Sequence, residues 1–577
     1  MIKLVKYVKP YLREILLVIA LIFVRVMCDL YLPNLMSDAV NNGVTNGDVD
    51  YILRIGLTML AVSLIGTLCS VASSYFSARN SSSVGRDMRN DIFAKVESFS
   101  QKEFDKFTTA SLITRTTNDV QQMQMVVMFS QRMLASTPLM LVGSLINAMN
   151  KDMQLLRILL VTMPILVILI LSIMRFAMPL FQAGQKKLDR LNQVLREGLS
   201  GVRVIRAFNR DSYQTERFQN ANFDLTANAI KVNRIMASMM PLMMLIMNLT
   251  TIAVVWYGSQ SVDEGIIMVG DLMAFSQYVM MILFSLLDLS MIFIMFPRAE
   301  VSAQRIVDVL ETEPDVVEPA SPVSLPRISR GMRLEFNHVT FRYPGGEEPA
   351  LSDITFTIEP GETVAIIGST GSGKSTIGYM IQRFYDCESG SITADGLDVR
   401  TIALEDLRQQ IGYVPQQAVL FSGSIAENLR YGDSDASETL RSEALSIAQA
   451  SEFVSTLPEG EEAFVAQGGS NFSGGQKQRL SIARALVRQP RLFVFDDSFS
   501  ALDYKTDLKL RQALNEQTAE ATKLIIAQRV STIMQADRII VLNDGAIVGI
   551  GTHSELLRSC VVYQEIVRSQ LSEAEIA

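Results

Sequence analysis

A helix needs roughly 20 predominantly apolar residues to cross the hydrocarbon core of a bilayer. Six stretches of this chain meet that length before residue 300, near 14–38, 51–76, 130–149, 154–180, 236–262 and 271–297. Several are too long and too apolar to be buried helices of a water-soluble α protein. Lipid offers no partner to backbone N–H and C=O groups, so such segments must satisfy them internally. The first part of the chain is therefore expected to be an all-α, six-helix transmembrane domain over residues 1–310. Composition agrees: 19% of the 577 residues are charged, against about 25% in an ordinary soluble chain.

Loop charge sets the expected orientation. The segments at 39–50 and 261–270 contain no Lys or Arg and the link at 150–153 has one Lys, whereas the long segments at 77–129 and 181–235 are rich in both. By the positive-inside rule the long segments, and with them both termini, are expected in the cytoplasm of a multi-pass cell-membrane protein. The opening "MIKLVKYVKPYLRE" alternates basic and apolar residues as an interfacial helix does. The first apolar stretch passes Met27 without a small-residue cleavage site, so no cleaved leader is expected. The long cytoplasmic segments keep helical periodicity, which extends the spans below the bilayer, with turning points expected in "FTTASLITRTTNDV" (107–120) and "NRDSYQTERF" (209–218).

On the sixth span, Met273, Gln277, Met280, Phe284, Asp288, Met291 and Met295 recur at steps of three and four, which places them on one helix face. An amide and a carboxylate on such a stripe are costly against lipid, so Gln277, Phe284, Asp288 and Met291 are expected to line a wet substrate path. Met239, Met240, Met243, Met244 and Met247 form a comparable face on the fifth span; ordinary helix packing is the alternative for the methionines. The net charge of −8 and the lack of a long basic run argue against a nucleic-acid partner. Cys28, Cys69, Cys387 and Cys560 are too scattered for a metal or disulfide motif.

Pro314, Pro319, Pro322 and Pro326 mark a linker over 311–331, and from 332 to 577 short β-rich runs alternate with helical patterns, as in a soluble α/β domain. Within it "GSTGSGKST" (Gly368, Ser369, Thr370, Gly371, Ser372, Gly373, Lys374, Ser375, Thr376) follows the apolar run 363–367 and fits the P-loop pattern. Its glycines let backbone N–H groups close around phosphate oxygens, Lys374 reaches the terminal phosphates, and Ser375 is placed to hold Mg²⁺. The run "LFVFDD" brings a second acid strand whose Asp496 is expected to contact Mg²⁺ through water, and paired acids at a strand end raise the question whether Asp497 beside it can work as a base.

At "NFSGGQKQRLSIARAL" (471–486) the chain resembles the ABC transporter ATPases, whose signature motif this is. The resemblance covers nearly the whole chain, because six spans followed by one nucleotide-binding domain is the layout of a half-size ABC exporter. It implies that Tyr343 in "FRYPG" stacks on adenine, that Gln416 in "GYVPQQ" contacts Mg²⁺ and senses the membrane domain, and that Asp503 in "SALD" is the D-loop aspartate. On their residues alone, these three also fit a core tyrosine, a turn glutamine and a helix-capping aspartate.

Three positions depart from the family pattern. The acid strand ends Asp496–Asp497 where the family has Asp–Glu, "IIAQR" puts Gln528 at the family's histidine, and Gln467 stands where exporters commonly have glutamate. The signature keeps Ser473, Gly474, Gly475 and Gln476, with Phe472 in place of the usual leucine. Because each ATP in an ABC dimer lies between one subunit's P-loop and the other's signature, the resemblance implies a weakly hydrolytic site here and a sound signature offered to a partner. The expected function is one subunit of a heterodimeric ATP-driven exporter of amphipathic or drug-like compounds, partnered by a second, non-identical half-transporter. A homodimeric lipid or multidrug exporter with slow ATPase, or an ABC-type protein that gates another membrane protein, carries the same motifs.

Overall fold

The computed structural model describes residues 2–326 and 330–571, apart from the side chains of residues 2, 290–295, 297 and 298. The side chains of Met291 and Met295 thus lie outside the described residues. By its contacts the chain forms two compact units, Met1–Glu97 with Ala110–Glu311, and Ser98–Thr109 with Thr312–Ala577.

The first unit is helical. Its long helices are α1 (Leu12–Asp38), α2 (Val49–Glu97), α5 (Val120–Lys151), α6 (Leu156–Ser200), α8 (Asp211–Asp263) and α9 (Val269–Glu311), and the short ones are α4 (Thr109–Thr114) and α7 (Val202–Ala207), while α3 (Gln101–Phe107) groups with the second unit. Among the described residues, six helical stretches are long and apolar enough to cross a membrane. α2, α6 and α8 run to 45–53 residues, about 70–80 Å at 1.5 Å per residue and far beyond a bilayer core of about 30 Å. The breaks fall inside the turning segments expected from sequence, 107–120 and 209–218. Thr108, at φ 59°, ends α3, and Asn209, at φ 52°, follows α7. A short helix therefore precedes each expected turning segment.

α1 packs on α2 and α5, α5 on α9, and α6 on α8. Val18, Ile22, Val26 and Leu30 of α1 join Phe275, Tyr278, Ile282 and Leu283 of α9 in one buried cluster. Tyr278 donates its hydroxyl hydrogen to the Leu30 carbonyl at 2.8 Å. Where three spans end, Lys151 and Ser37 both donate to Asp271, each at 2.7 Å. This polar cluster fixes the register of α1, α5 and α9. Rows of leucines on α2, such as Leu57 and Leu60, stay exposed, as lipid-facing side chains are.

The second unit is α/β. Its strands are β1 (Leu334–Phe341), β2 (Leu351–Ile358), β3 (Thr363–Gly368), β4 (Ser389–Ala394), β5 (Leu397–Asp398), β6 (Ile411–Val414), β7 (Gly423–Ser424), β8 (Phe464–Val465), β9 (Leu492–Asp496), β10 (Thr522–Ile526), β11 (Arg538–Asn543) and β12 (Ala546–Gly551). The main sheet has the order β12-β11-β3-β10-β9-β6, parallel except for β12. Its central strands β9 and β10 are buried along their whole length because both faces are covered. A smaller antiparallel sheet, β2-β1-β4-β5, adds a second core.

Candidate nucleotide site

The carboxyl ends of β3, β10 and β9 lie side by side, which is where α/β sheets bind ligands. β3 leads into the P-loop, β9 ends at Asp496, and Gln528 stands two residues beyond β10 between them. Register makes the neighbourhood firm, since Ile526 pairs with both Ile366 and Asp496.

After β3 the chain rises through Ser369, Thr370 and Gly371, all exposed, and turns into α10 (Lys374–Ile381) at Gly373. Gly373 has φ +92°, and a Cβ there would stand 2.6 Å from the Ala350 carbonyl oxygen. Only glycine fits that turn, and it sets the first N–H groups of α10 toward an anion. Lys374 is buried and donates to the carbonyls of Gly368 (2.9 Å) and Ser369 (2.6 Å). Burial pushes its ammonium below the usual lysine range, against the opposing pull of Asp497 and Asp496. A buried ammonium held by neutral carbonyls is an incomplete ion pair, and polyphosphate oxygens are the chemistry that completes it.

Ser375 donates to Asp496 at 2.9 Å, and Tyr413 reaches the other Asp496 oxygen at 3.4 Å. Asp496 is only 2% exposed. Burial raises its pKa, partly offset by those two hydrogen bonds, and Asp497 nearby adds to the rise. A carboxylate strained in this way is relieved by a cation. The convergent donors are oxygens of a serine and an aspartate, with Gln416 adjacent, a set suited to Mg²⁺ that draws its other ligands from phosphate and water. No group of three or more His, Cys, Asp or Glu among the described residues competes as a metal site.

Gln416 donates to Asp497 at 3.2 Å, a direct link between two positions predicted separately. Asp497 itself is half-buried at φ 45°, with its N–H on the Ile526 carbonyl at 2.8 Å. Tyr343 shares a 2.9 Å hydrogen bond with Thr376, which brings the aromatic loop against the P-loop helix. Its ring meets Tyr385 edge-on with centroids 5.5 Å apart. Gln528 is exposed; its carbonyl accepts from Gln570 at 2.7 Å, and Gln570 also accepts from the Val530 N–H at 2.8 Å.

The signature is a helix start of its own. Ser473 caps the helix Gly474–Val487 by accepting from the Gln476 N–H at 3.3 Å while Gln476 accepts from the Ser473 N–H at 2.9 Å. This reciprocal box leaves Ser473 and Gly474 exposed, with open space over Gly474. Phe472 is buried against Phe453, so the departure from leucine is absorbed by packing. Asp503 accepts from the Thr506 N–H at 3.0 Å, a contact that lowers its pKa, and so caps the helix Tyr504–Gln517. Gln467 is exposed in a short turn, Gln467–Gly469.

Sequence reasoning missed Tyr385, Tyr413 and Gln570. Tyr385 touches Tyr343 on one side and donates to Asp105 of α3 at 2.7 Å on the other. No motif marks Tyr385 or Gln570, and Tyr413 stands in "GYVPQQ" without a role assigned to it; their hydrogen bonds bring them to notice. On the sixth span, Gln277, Phe284 and Asp288 lie on the exposed face of α9, opposite buried Phe275, Tyr278 and Ile282.

Two family models match the chain: the ABC transporter transmembrane region over residues 15–287 and the ABC transporter over residues 351–500. An uncharacterized ABC transporter ATP-binding protein of Mycobacterium tuberculosis is 41% identical over 99% of this chain and 98% of its own length. An ATP-dependent lipid A-core flippase of Syntrophus aciditrophicus is 30% identical over 100% of this chain and 95% of its own. A bacterial Atm1-family ABC exporter solved with ATP bound shares the fold, with a TM-score of 0.81 over 98% of this chain and 99% of that one at 24% identity. The six apolar helices, the P-loop domain that follows them and these full-length matches lead to one conclusion: the chain belongs to the ABC transporter family as a half-size, ATP-driven exporter.

Proposed function

We propose that this chain is the degenerate-site subunit of a heterodimeric exporter that moves amphipathic or drug-like compounds out of the cytoplasm, with both termini on the cytoplasmic side. The observation that carries the proposal is the pairing of an Asp497–Gln528 active centre with an unaltered Ser473–Gln476 signature. In this reading Tyr343 stacks on adenine, residues 368–376 hold the phosphates, and Ser375, Asp496 and Gln416 hold Mg²⁺, which supplies charge neutralisation at the β- and γ-phosphates.

Hydrolysis needs a base within reach of the attacking water. Asp497 is one methylene shorter than the family's glutamate, and Gln416 already occupies one of its oxygens. Gln528 hydrogen-bonds a phosphate oxygen but carries neither a proton nor a charge to exchange. ATP is therefore bound here and turned over slowly, while the exposed Ser473 and Gly474 complete the partner's site. The relative named as a lipid A-core flippase supports an amphiphilic substrate, as does the exposed face of Gln277, Phe284 and Asp288, which in this reading lines the path. Pulling a tagged chain from its native membrane tests the pairing. A stoichiometric second half-transporter with glutamate and histidine at the corresponding positions is expected; recovery of this chain alone as an active homodimer would refute it.

A further inference from the structure

The segment that carries Gln528 is held on both sides by other parts of the fold. Before it, the Ala527 N–H donates at 3.1 Å to the Ile366 carbonyl of β3, the strand that leads into the P-loop. After it comes a helix of only four residues, Val530–Ile533, whose capping residue Arg529 makes no side-chain cap hydrogen bond. The N–H groups at a helix start have no partner within the helix, and Val530 is fully buried, where an unmet donor is costly. The missing acceptor comes from another helix. Gln570, the last residue of the helix Val561–Gln570, accepts from the Val530 N–H at 2.8 Å through Oε1 and donates to the Gln528 carbonyl at 2.7 Å through Nε2.

One amide thus brackets residues 528–530. A backbone N–H only donates and a carbonyl only accepts, so the two contacts also fix which way the amide faces. Glutamate at this position has no donor, and asparagine is one methylene short. The helix that presents Gln570 is itself anchored, because Tyr563 and Val567 are fully buried in the same core as Val530 and Ile533, and the Tyr563 hydroxyl meets His553 Nδ1 at 2.7 Å. Gln570 is exposed, so these two bonds and not packing order its side chain.

We propose that Gln570 is a positioning residue for Gln528, fixing the backbone from which that side chain reaches the terminal phosphate of bound ATP. Asp497, the acid on the side of the attacking water, donates its N–H to the Ile526 carbonyl two residues before Gln528, which puts Gln528 at the terminal-phosphate end of the site. The assignment rests on the reading in which Gln528 hydrogen-bonds a phosphate oxygen, and adds that the helix Val561–Gln570 controls that bond.

The test follows nucleotide release from this subunit of the purified full-length transporter. The protein is loaded on ice, where turnover is arrested, with radiolabelled azido-ATP or azido-ADP, chased with unlabelled nucleotide for increasing times and then photolysed. Gln570→Ala and Gln528→Ala should each release ATP about fivefold faster, the order of one hydrogen bond, and the double variant no faster than Gln528→Ala alone. Gln570→Glu keeps the acceptor for Val530 but loses the donor to Gln528, and should release ATP as fast as Gln570→Ala. ADP lacks the terminal phosphate, so its release should stay at the wild-type rate in every variant, which is also the control for folding. ADP release quickened as much as ATP release would mean a loosened domain and overturn the proposal, as would a double variant whose effect is the product of the two singles. Wild-type release from Gln570→Ala beside fast release from Gln528→Ala would sink the positioning role alone. A silent Gln528→Ala would sink the contact of Gln528 with phosphate and the positioning role with it.

Discussion

Lengthening one carboxylate and restoring one imidazole should convert the slow ATP site into a competent one. Asp497 sits at the end of β9 with its backbone fixed by the Ile526 carbonyl at 2.8 Å, so replacing it by glutamate extends the carboxylate by one methylene without moving the strand. A misplacement of about 1 Å costs on the order of 100-fold in rate. Its correction by Asp497→Glu is therefore worth about 2.7 kcal/mol of barrier, at about 1.4 kcal/mol per tenfold. Gln416 must release or follow the longer acid from its present 3.2 Å contact, which makes 100-fold an upper figure for the single change. Gln528→His adds the proton-bearing group at the neighbouring strand end. The assay is single-turnover conversion of photo-crosslinkable ATP to ADP on this subunit in the purified complex. Wild type should retain ATP for many cycles of the partner site, and the double variant should convert it about 100-fold faster. Conversion equal to wild type would refute the argument from carboxylate length.

Three further outcomes follow from the same geometry. Lys374→Ala removes the buried ammonium at the P-loop and should abolish photolabelling of this subunit by ATP. Asp496 has a carboxyl pKa raised by burial, so the folded state holds that proton more tightly than the unfolded chain, and this group's contribution to stability falls as pH rises through the shifted range. Asp496→Asn should therefore raise the Tm measured in EDTA at pH 7, by about 2–4 °C per ~1 kcal/mol relieved, while Mg²⁺-dependent ATP binding is lost; a lower Tm contradicts the burial argument. Cysteines at Gln277, Phe284 and Asp288, on the exposed face of α9, should react with a water-soluble thiol reagent faster than a cysteine at Leu60 on α2; protection in every state of the cycle would place that face in lipid or against protein.

The six spans were legible because bilayer thickness imposes a length that few soluble helices share. The P-loop was legible because the Gly373 turn tolerates no Cβ, so the motif is written in glycine spacing. What joins the motifs was not legible. Gln416 and Asp497 are 81 positions apart, and Tyr385 and Asp105 are 280 apart; each pair depends on how sheet order and chain return bring surface groups together, and polar side chains leave no periodic trace of that. The same holds for Ser98–Thr109, most of which reads as a continuation of the second span ahead of the turning segment 107–120 but groups by its contacts with the second unit. The break at Thr108 falls in the expected turning segment 107–120, but its left-handed backbone gives no compositional signal in a non-glycine residue. Asp503 shows how two readings of one residue can both apply, since the D-loop position is also a helix cap.

The claim that this subunit binds ATP slowly turned over and lends its signature to another chain is tested most directly by steady-state ATPase of the purified complex carrying Ser473→Arg or Asp497→Asn. Ser473 is exposed at the start of its helix, so arginine there puts a bulky cation at the partner's γ-phosphate and should stop most turnover, whereas Asp497→Asn should leave most of it. Equal damage from the two substitutions would contradict the division of labour.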